Sequence, residues 1–140
     1  MPLPAEIEPA SIPPSPPSSD PSDGFAVVGY FPDYRELNPE WGRYLTDILY
    51  FSAGTTADGR LDTGRLNEDA LNALHEMQGR YGVRVHLSIG GWERSEHFAA
   101  MTGDAQARGR FLDELATYVY ENKINGVDFG LVKLFDQFRR

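Results

Sequence analysis

Four short apolar runs, separated by stretches of helical periodicity, limit what this chain can fold into. Phe25-Ala26-Val27-Val28-Gly29-Tyr30-Phe31 is almost continuously apolar and is stopped by Pro32-Asp33. Asp47-Ile48-Leu49-Tyr50-Phe51-Ser52-Ala53 is a second run of the same kind. Val83-Arg84-Val85-His86-Leu87-Ser88-Ile89 alternates cleanly, and Ile124-Asn125-Gly126-Val127-Asp128-Phe129 completes the series. Runs of this length, rich in β-branched and aromatic residues, are strands. The first two are expected to be buried on both faces, as in a parallel sheet.

The segments between them supply the crossovers. Pro39-Glu40-Trp41 can open a short helix, because proline is tolerated at the first helical position. Ala57-Asp58-Gly59-Arg60 makes a turn. Asn67 is placed to cap a helix running to about Tyr81, with Leu71, Leu74, Met77 and Gln78 along one face and Gly82 ending it. Gly90, Gly91 and Trp92 follow the third strand, and residues 93–103 form a loop with a helical turn around Phe98. A long amphipathic helix is predicted over 104–122, with Phe111, Leu112, Leu115, Tyr118 and Val119 inward. Such alternation of strand and helix calls for parallel strands joined by right-handed crossovers. No Gly-x-Gly-x-x-Gly follows the first strand, which removes the main support for a dinucleotide-binding fold. No repeat is evident at solenoid periods.

The ends differ in composition from the middle. Residues 1–23 hold eight of the ten prolines, spaced by serines and acids, and predict a disordered or polyproline-like leader. The folded domain is then expected over 24–130, with 131–140 as a separate tail. In that tail Leu131, Leu134, Phe135 and Phe138 fall on one helical face, but ten residues make a marginal helix unless it packs. A formal charge of -8 argues against a nucleic-acid backbone or an anionic membrane surface as partner. No apolar run approaches the roughly 18 residues of a membrane span. The absence of cysteine excludes disulfides, cysteine zinc sites and thiol nucleophiles. His75, His86 and His97 have no metal-ligand spacing, so neither metal nor cofactor is expected. The N-terminus lacks the basic and apolar regions of a secretory signal. That fits either a protein that stays inside the cell or a start upstream of Met1, and the compartment stays open.

Three stretches, taken in order, resemble family-18 glycoside hydrolases, the chitinase family. Val27-Val28-Gly29-Tyr30-Phe31 is similar to the first barrel strand of that family. Leu87-Ser88-Ile89-Gly90-Gly91-Trp92 matches its Ser-x-Gly-Gly motif on the third strand. Asn125-Gly126-Val127-Asp128-Phe129 matches the opening of its fourth-strand signature, Asp-x-x-Asp-x-Asp-x-Glu. The resemblance covers about residues 25–129 and implies an α/β fold, the first four strands of a (β/α)8 TIM barrel. It also implies retaining, substrate-assisted cleavage of β-1,4-linked N-acetylglucosamine polymers, in which the substrate's own acetamido oxygen attacks the sugar carbon. In that scheme one glutamate protonates the leaving oxygen, and aspartates two and four residues earlier tune and orient it. Period-two alternation aims all three into the barrel.

On this chain Asp128 takes the innermost aspartate's place, Gly130 stands where the acetamido-orienting aspartate belongs, and Val132 occupies the acid position. Asn125 replaces the first aspartate, which has the opposite parity. Valine cannot donate a proton, so hydrolysis by this route is expected to be absent. The resemblance further implies that Ser88 hydrogen-bonds Asp128. Gly90 and Gly91 either let the backbone approach a ligand or make a plain turn. Trp92 either stacks on a sugar or packs in the core. Tyr30 either turns its hydroxyl to substrate or is a core tyrosine. A lectin-like sugar-binding module and an interaction fragment are the alternatives to a silent hydrolase.

Family members continue after the phenylalanine with Asp-Trp, and one extra G ahead of those codons would be read as Gly-Leu, as at Gly130-Leu131. A frameshift or early gene end after Phe129 is therefore expected. Half a barrel would leave two open strand edges and favour self-association.

Overall fold

A computed structural model describes residues 25–91 and 96–130. Strand β1 (Val28–Pro32) is followed by a 3-10 helix (Pro39–Tyr44), β2 (Asp47–Thr55) and a two-residue strand β3 (Leu61–Asp62). Then come α1 (Glu68–Tyr81), β4 (Arg84–Gly90), α2 (Phe98–Gly103), α3 (Ala105–Glu121) and β5 (Gly126–Gly130). The main sheet has the order β1-β2-β4-β5, and each neighbouring pair is parallel. It is the first half of a (β/α)8 barrel. Strand β3 hooks back antiparallel onto the end of β2, pairing Gly54 with Asp62. Two residues carry too little periodicity to announce a strand, so only the turn before it was legible.

Local chemistry sets the helix ends. The Asn67 side chain accepts from the Ala70 N–H at 2.7 Å. That bond satisfies one of the unpaired donors in the first turn of α1. Gly82 closes the helix at φ 68°. Its N–H donates to the Gln78 carbonyl at 3.1 Å, a usual way for a helix to end. Asp104 caps α3 through Ala107 N–H, and Asn38 caps the 3-10 helix through Glu40 N–H.

Both long helices pack on one face of the sheet. Under α1, Leu74 and Met77 meet Phe31, Ile48, Tyr50 and Val85. Under α2 and α3, Met101, Phe111 and Leu115 meet Ala53, Leu87 and Ile89. Strand alternation gives the opposite face Val28 and Tyr30 of β1, Asp47, Leu49 and Phe51 of β2, Arg84, His86 and Ser88 of β4, and Asp128 of β5. Among the described residues no helix covers it. In a complete barrel it is the interior.

Two expectations are corrected. The first strand is not buried on both faces: Val28 is 45% exposed and Tyr30 70% exposed. It is an edge strand whose inner face meets no described element. Leu112 is exposed rather than inward. The buried stripe of α3 is Ala107, Phe111 and Leu115. Leu112 lies one residue, about 100°, past Phe111.

Candidate functional site at the C-terminal ends of the strands

Barrels of parallel strands carry their chemistry at the C-terminal strand ends, and the N-terminal ends serve stability. The open face of this sheet has a polar cluster at each end. At the C-terminal end Ser88 and Asp128 are register partners on β4 and β5. The Ser88 hydroxyl donates to Asp128 Oδ2 at 2.7 Å. Ser88 is buried, and Asp128 is half-buried and open toward the uncovered face. The parallel pairing forces this neighbourhood, because facing residues of adjacent strands project to the same side.

Gly90 and Gly91 follow at φ 85° and 103°. Side-chained residues rarely adopt such backbone. The Gly91 N–H donates to the Gly130 carbonyl at 2.5 Å, which ties the turn after β4 to the end of β5. A side chain on Gly91 would meet the Phe51 ring at 3.1 Å. The turn therefore needs glycine for its conformation and for the close approach of Phe51. Gly130 is different. A Cβ there would find its nearest neighbour, Gly91 N, at 3.7 Å, an ordinary contact. Space does not forbid a carboxylate at 130; the sequence simply lacks it.

The structure brings Ser88, Gly90, Gly91 and Asp128 together. Tyr30 is elsewhere. It stands on β1, at the opposite edge of the main sheet from β5. Three strand spacings separate the two edges, about 14 Å along the sheet. The Tyr30 ring meets the Phe51 ring edge-on, with centroids 6.4 Å apart. Trp92 and Val132 lie outside the described residues. Among those described, no group of three or more His, Cys, Asp or Glu side chains could hold a metal ion.

The sequence pattern of glycosyl hydrolases family 18 matches residues 26–131. The chain belongs to that family. Two chitinase-like effectors are among its family-18 relatives. The one from Moniliophthora perniciosa is 28% identical over 110 residues, which is 74% of this chain and 25% of the relative. The one from Moniliophthora roreri is 26% identical over 119 residues, 80% of this chain and 29% of the relative. The chain thus spans between a quarter and a third of the curated relatives it matches. Among solved structures, a chitinase from Rhizomucor miehei superposes with a TM-score of 0.63 at 23% identity, covering 73% of this chain and 32% of that one. Human YKL-39, described as a pseudo-chitinase with retained chitooligosaccharide binding properties, superposes with a TM-score of 0.64 at 17% identity, covering 77% and 33%. At these identities the likeness establishes the fold.

Two features of this family-18 chain escaped sequence reasoning. The first is an ion cluster at the N-terminal strand ends. Asp47 Oδ1 takes hydrogen bonds from Arg84 Nε at 2.8 Å and His86 Nε2 at 2.9 Å; Oδ2 takes Arg84 Nη2 at 2.9 Å and the Thr46 hydroxyl at 2.7 Å. Burial alone would push the Asp47 carboxyl up. The bonds from Arg84, His86 and Thr46, with the Arg84 charge, outweigh it and hold the pKa down to about 2. Gly126 belongs to the same device, since a Cβ there would fall 2.6 Å from His86 Nδ1. The second feature is a cleft beyond the end of β2, lined by Ser52, Thr55, Asp62, Arg65, Glu96 and His97. It depends on the β2–β3 hairpin, and the unforeseen strand hid it.

Proposed function

We propose that this chain is a hydrolytically silent chitinase-like domain that keeps an affinity for β-1,4-linked N-acetylglucosamine polymers. One observation carries the silence: the strand phase that gives Asp128 to the inner face gives the next two inward positions to Gly130 and Val132. The substrate-assisted route needs a proton donor at the second of these and an acetamido-orienting carboxylate at the first. Glycine and valine supply neither.

The affinity is supported by what is left. Asp128, positioned by Ser88, keeps Oδ1 for a sugar hydroxyl or amide N–H, a charge-assisted hydrogen bond of the stronger kind. Gly90 and Gly91 allow a ligand close to the backbone. The relatives named above are called chitinase-like effectors, and the solved pseudo-chitinase is described as retaining chitooligosaccharide binding, so binding without cleavage has a counterpart in this fold. In this reading Trp92 offers a stacking surface and Tyr30 a more distant contact along the polymer. Nucleic acid and membrane are not partners, and the open sheet edges favour self-association.

The test uses the purified 140-residue chain. Incubation with a fluorogenic chitobioside is expected to release no fluorophore, and release that scales with protein concentration overturns the silent reading. Retention on chitin beads, competed away by soluble N-acetylglucosamine oligomers and lost in Asp128→Ala, is the expected binding result. Retention that the oligomers do not compete rules the proposed ligand out.

A further inference from the structure

The main sheet ends in two free strands, β1 and β5, each five residues long and both running in the same direction. We infer that two copies of this chain close on one another about a two-fold axis parallel to the strands. β5 of each copy then pairs with β1 of its partner in one eight-stranded parallel barrel. The inference rests on the self-association read above and gives it a geometry.

Polarity is the first support. A parallel edge continues its ladder only with a strand running the same way. A two-fold axis along the strands presents such a strand at both edges at once. Number is the second. Two copies bring eight parallel strands, and eight is the count at which inward side chains just fill a barrel. The third is the make-up of the edges. Natural sheets protect exposed edges with lysines, inward charges or coverage. Neither β1 (Val-Gly-Tyr-Phe-Pro) nor β5 (Gly-Val-Asp-Phe-Gly) carries a lysine or arginine, and Asp128 is the one charged residue on either. Instead β1 leaves Val28 and Tyr30 bare on the inner face.

The outer side of β1 agrees. A groove lined by Gly29, Phe31, Trp41, Leu45 and Ile48 runs beside that edge and is almost wholly apolar. In the closed pair the partner's chain leaves its β5 next to this groove. Its next residues place Leu131, Leu134, Phe135 and Phe138 at i, i+3, i+4 and i+7, the spacing of one apolar helical face. The partner's segment 131–140 is the occupant that fits. The closed pair would also wall in both copies of Asp128, each now facing the partner's β1.

Light scattering on the full 140-residue chain after size exclusion tests this. The expected mass is twice 15.7 kDa, constant across the accessible concentrations. Val28→Glu places a charge on the seam at a position the single copy leaves open. It is expected to halve the mass while the circular-dichroism spectrum keeps its helical signal, and Val28→Thr is expected to stay dimeric. A folded monomer for the unmodified chain overturns the proposal. So does a ladder of growing mass, which would keep self-association but deny closure, and so does a dimer that Val28→Glu leaves intact. Chitin-bead retention of the same samples is scored separately, so a dimer that ignores chitin refutes the ligand reading and leaves this one standing.

Discussion

Two aspartates on the same face of the same sheet have opposite environments. Asp47, at the N-terminal end, is saturated: a bidentate arginine, a histidine and a threonine hydroxyl occupy both of its oxygens. Asp128, at the C-terminal end, takes one hydrogen bond from Ser88 among the described residues and has an oxygen to spare. A carboxylate whose acceptor capacity is used up by its own chain has become structure. One held in place by a single donor has capacity left for something outside the chain. The barrel's division of labour between its two ends is thus visible in the bonding of two residues.

The sharpest way to break this contrast is to remove each carboxylate in turn. Asp47→Ala takes away a buried acceptor and leaves Arg84, His86 and Thr46 without their partner. Breaking a fully buried pair costs about 3–5 kcal/mol. Arg84 is half-exposed and can rehydrate. A smaller loss, about 2 kcal/mol, is therefore expected from urea unfolding. Asp128→Ala should cost less than half of that, with its effect read on chitin beads. Equal losses of stability would erase the distinction. The same contrast has a pH signature. The folded pKa of Asp47 lies below its ordinary value of 3.8, so its stabilisation is complete above about pH 4 and is lost as pH falls toward about 2. Thermal melts of the unmodified chain should fall through that window, and those of Asp47→Asn should fall less steeply.

How far these regions could be foreseen follows from what a single strand encodes. The helix-covered face was legible because Leu74, Met77, Phe111 and Leu115 repeat at helical spacing and the strands alternate or run apolar. The exposure of β1 was not, since a run such as Val27-Val28-Gly29-Tyr30-Phe31 reads as buried whether or not anything covers it. The Asp47 cluster was half legible. Alternation puts Arg84 and His86 on one face, but that Asp47 faces them depends on register, which no one strand contains. The neighbourhood of Ser88 and Asp128 is likewise a fact of register between β4 and β5. Tyr30 was grouped with them by motif, and the sheet sets it three strands away.

A smaller effect probes the Asp128 end from its donor side. Ser88→Ala removes the hydroxyl but leaves Asp128 beside the open face, where water can replace the lost bond. About 1 kcal/mol of stability is expected to go, the ordinary net worth of such a hydrogen bond. Chitin retention should weaken without vanishing, because the carboxylate survives with less orientation. Ser88→Thr, which restores the hydroxyl, should recover part of it. Recovery of nothing would mean that Ser88 matters for its size and not for its bond.

The smallest effect is the most informative about the silent site. At Gly130 the chain end of β5 lies where a Cβ meets nothing nearer than 3.7 Å, and that backbone shows no positive φ demanding glycine. Gly130→Asp should therefore change stability by no more than about 0.5 kcal/mol, the usual range for a substitution with room around it. The new carboxylate would stand two residues beyond Asp128 on the same inner face, and the two like charges would repel. Retention on chitin should rise if the acetamido group is what position 130 addresses, and it should be unchanged if the ligand stops at Asp128. At Asp47 the same alternation offers no such opening, because every acceptor there is taken. A destabilisation of Gly130→Asp matching that of Asp47→Ala would show the C-terminal end to be as closed as the N-terminal one.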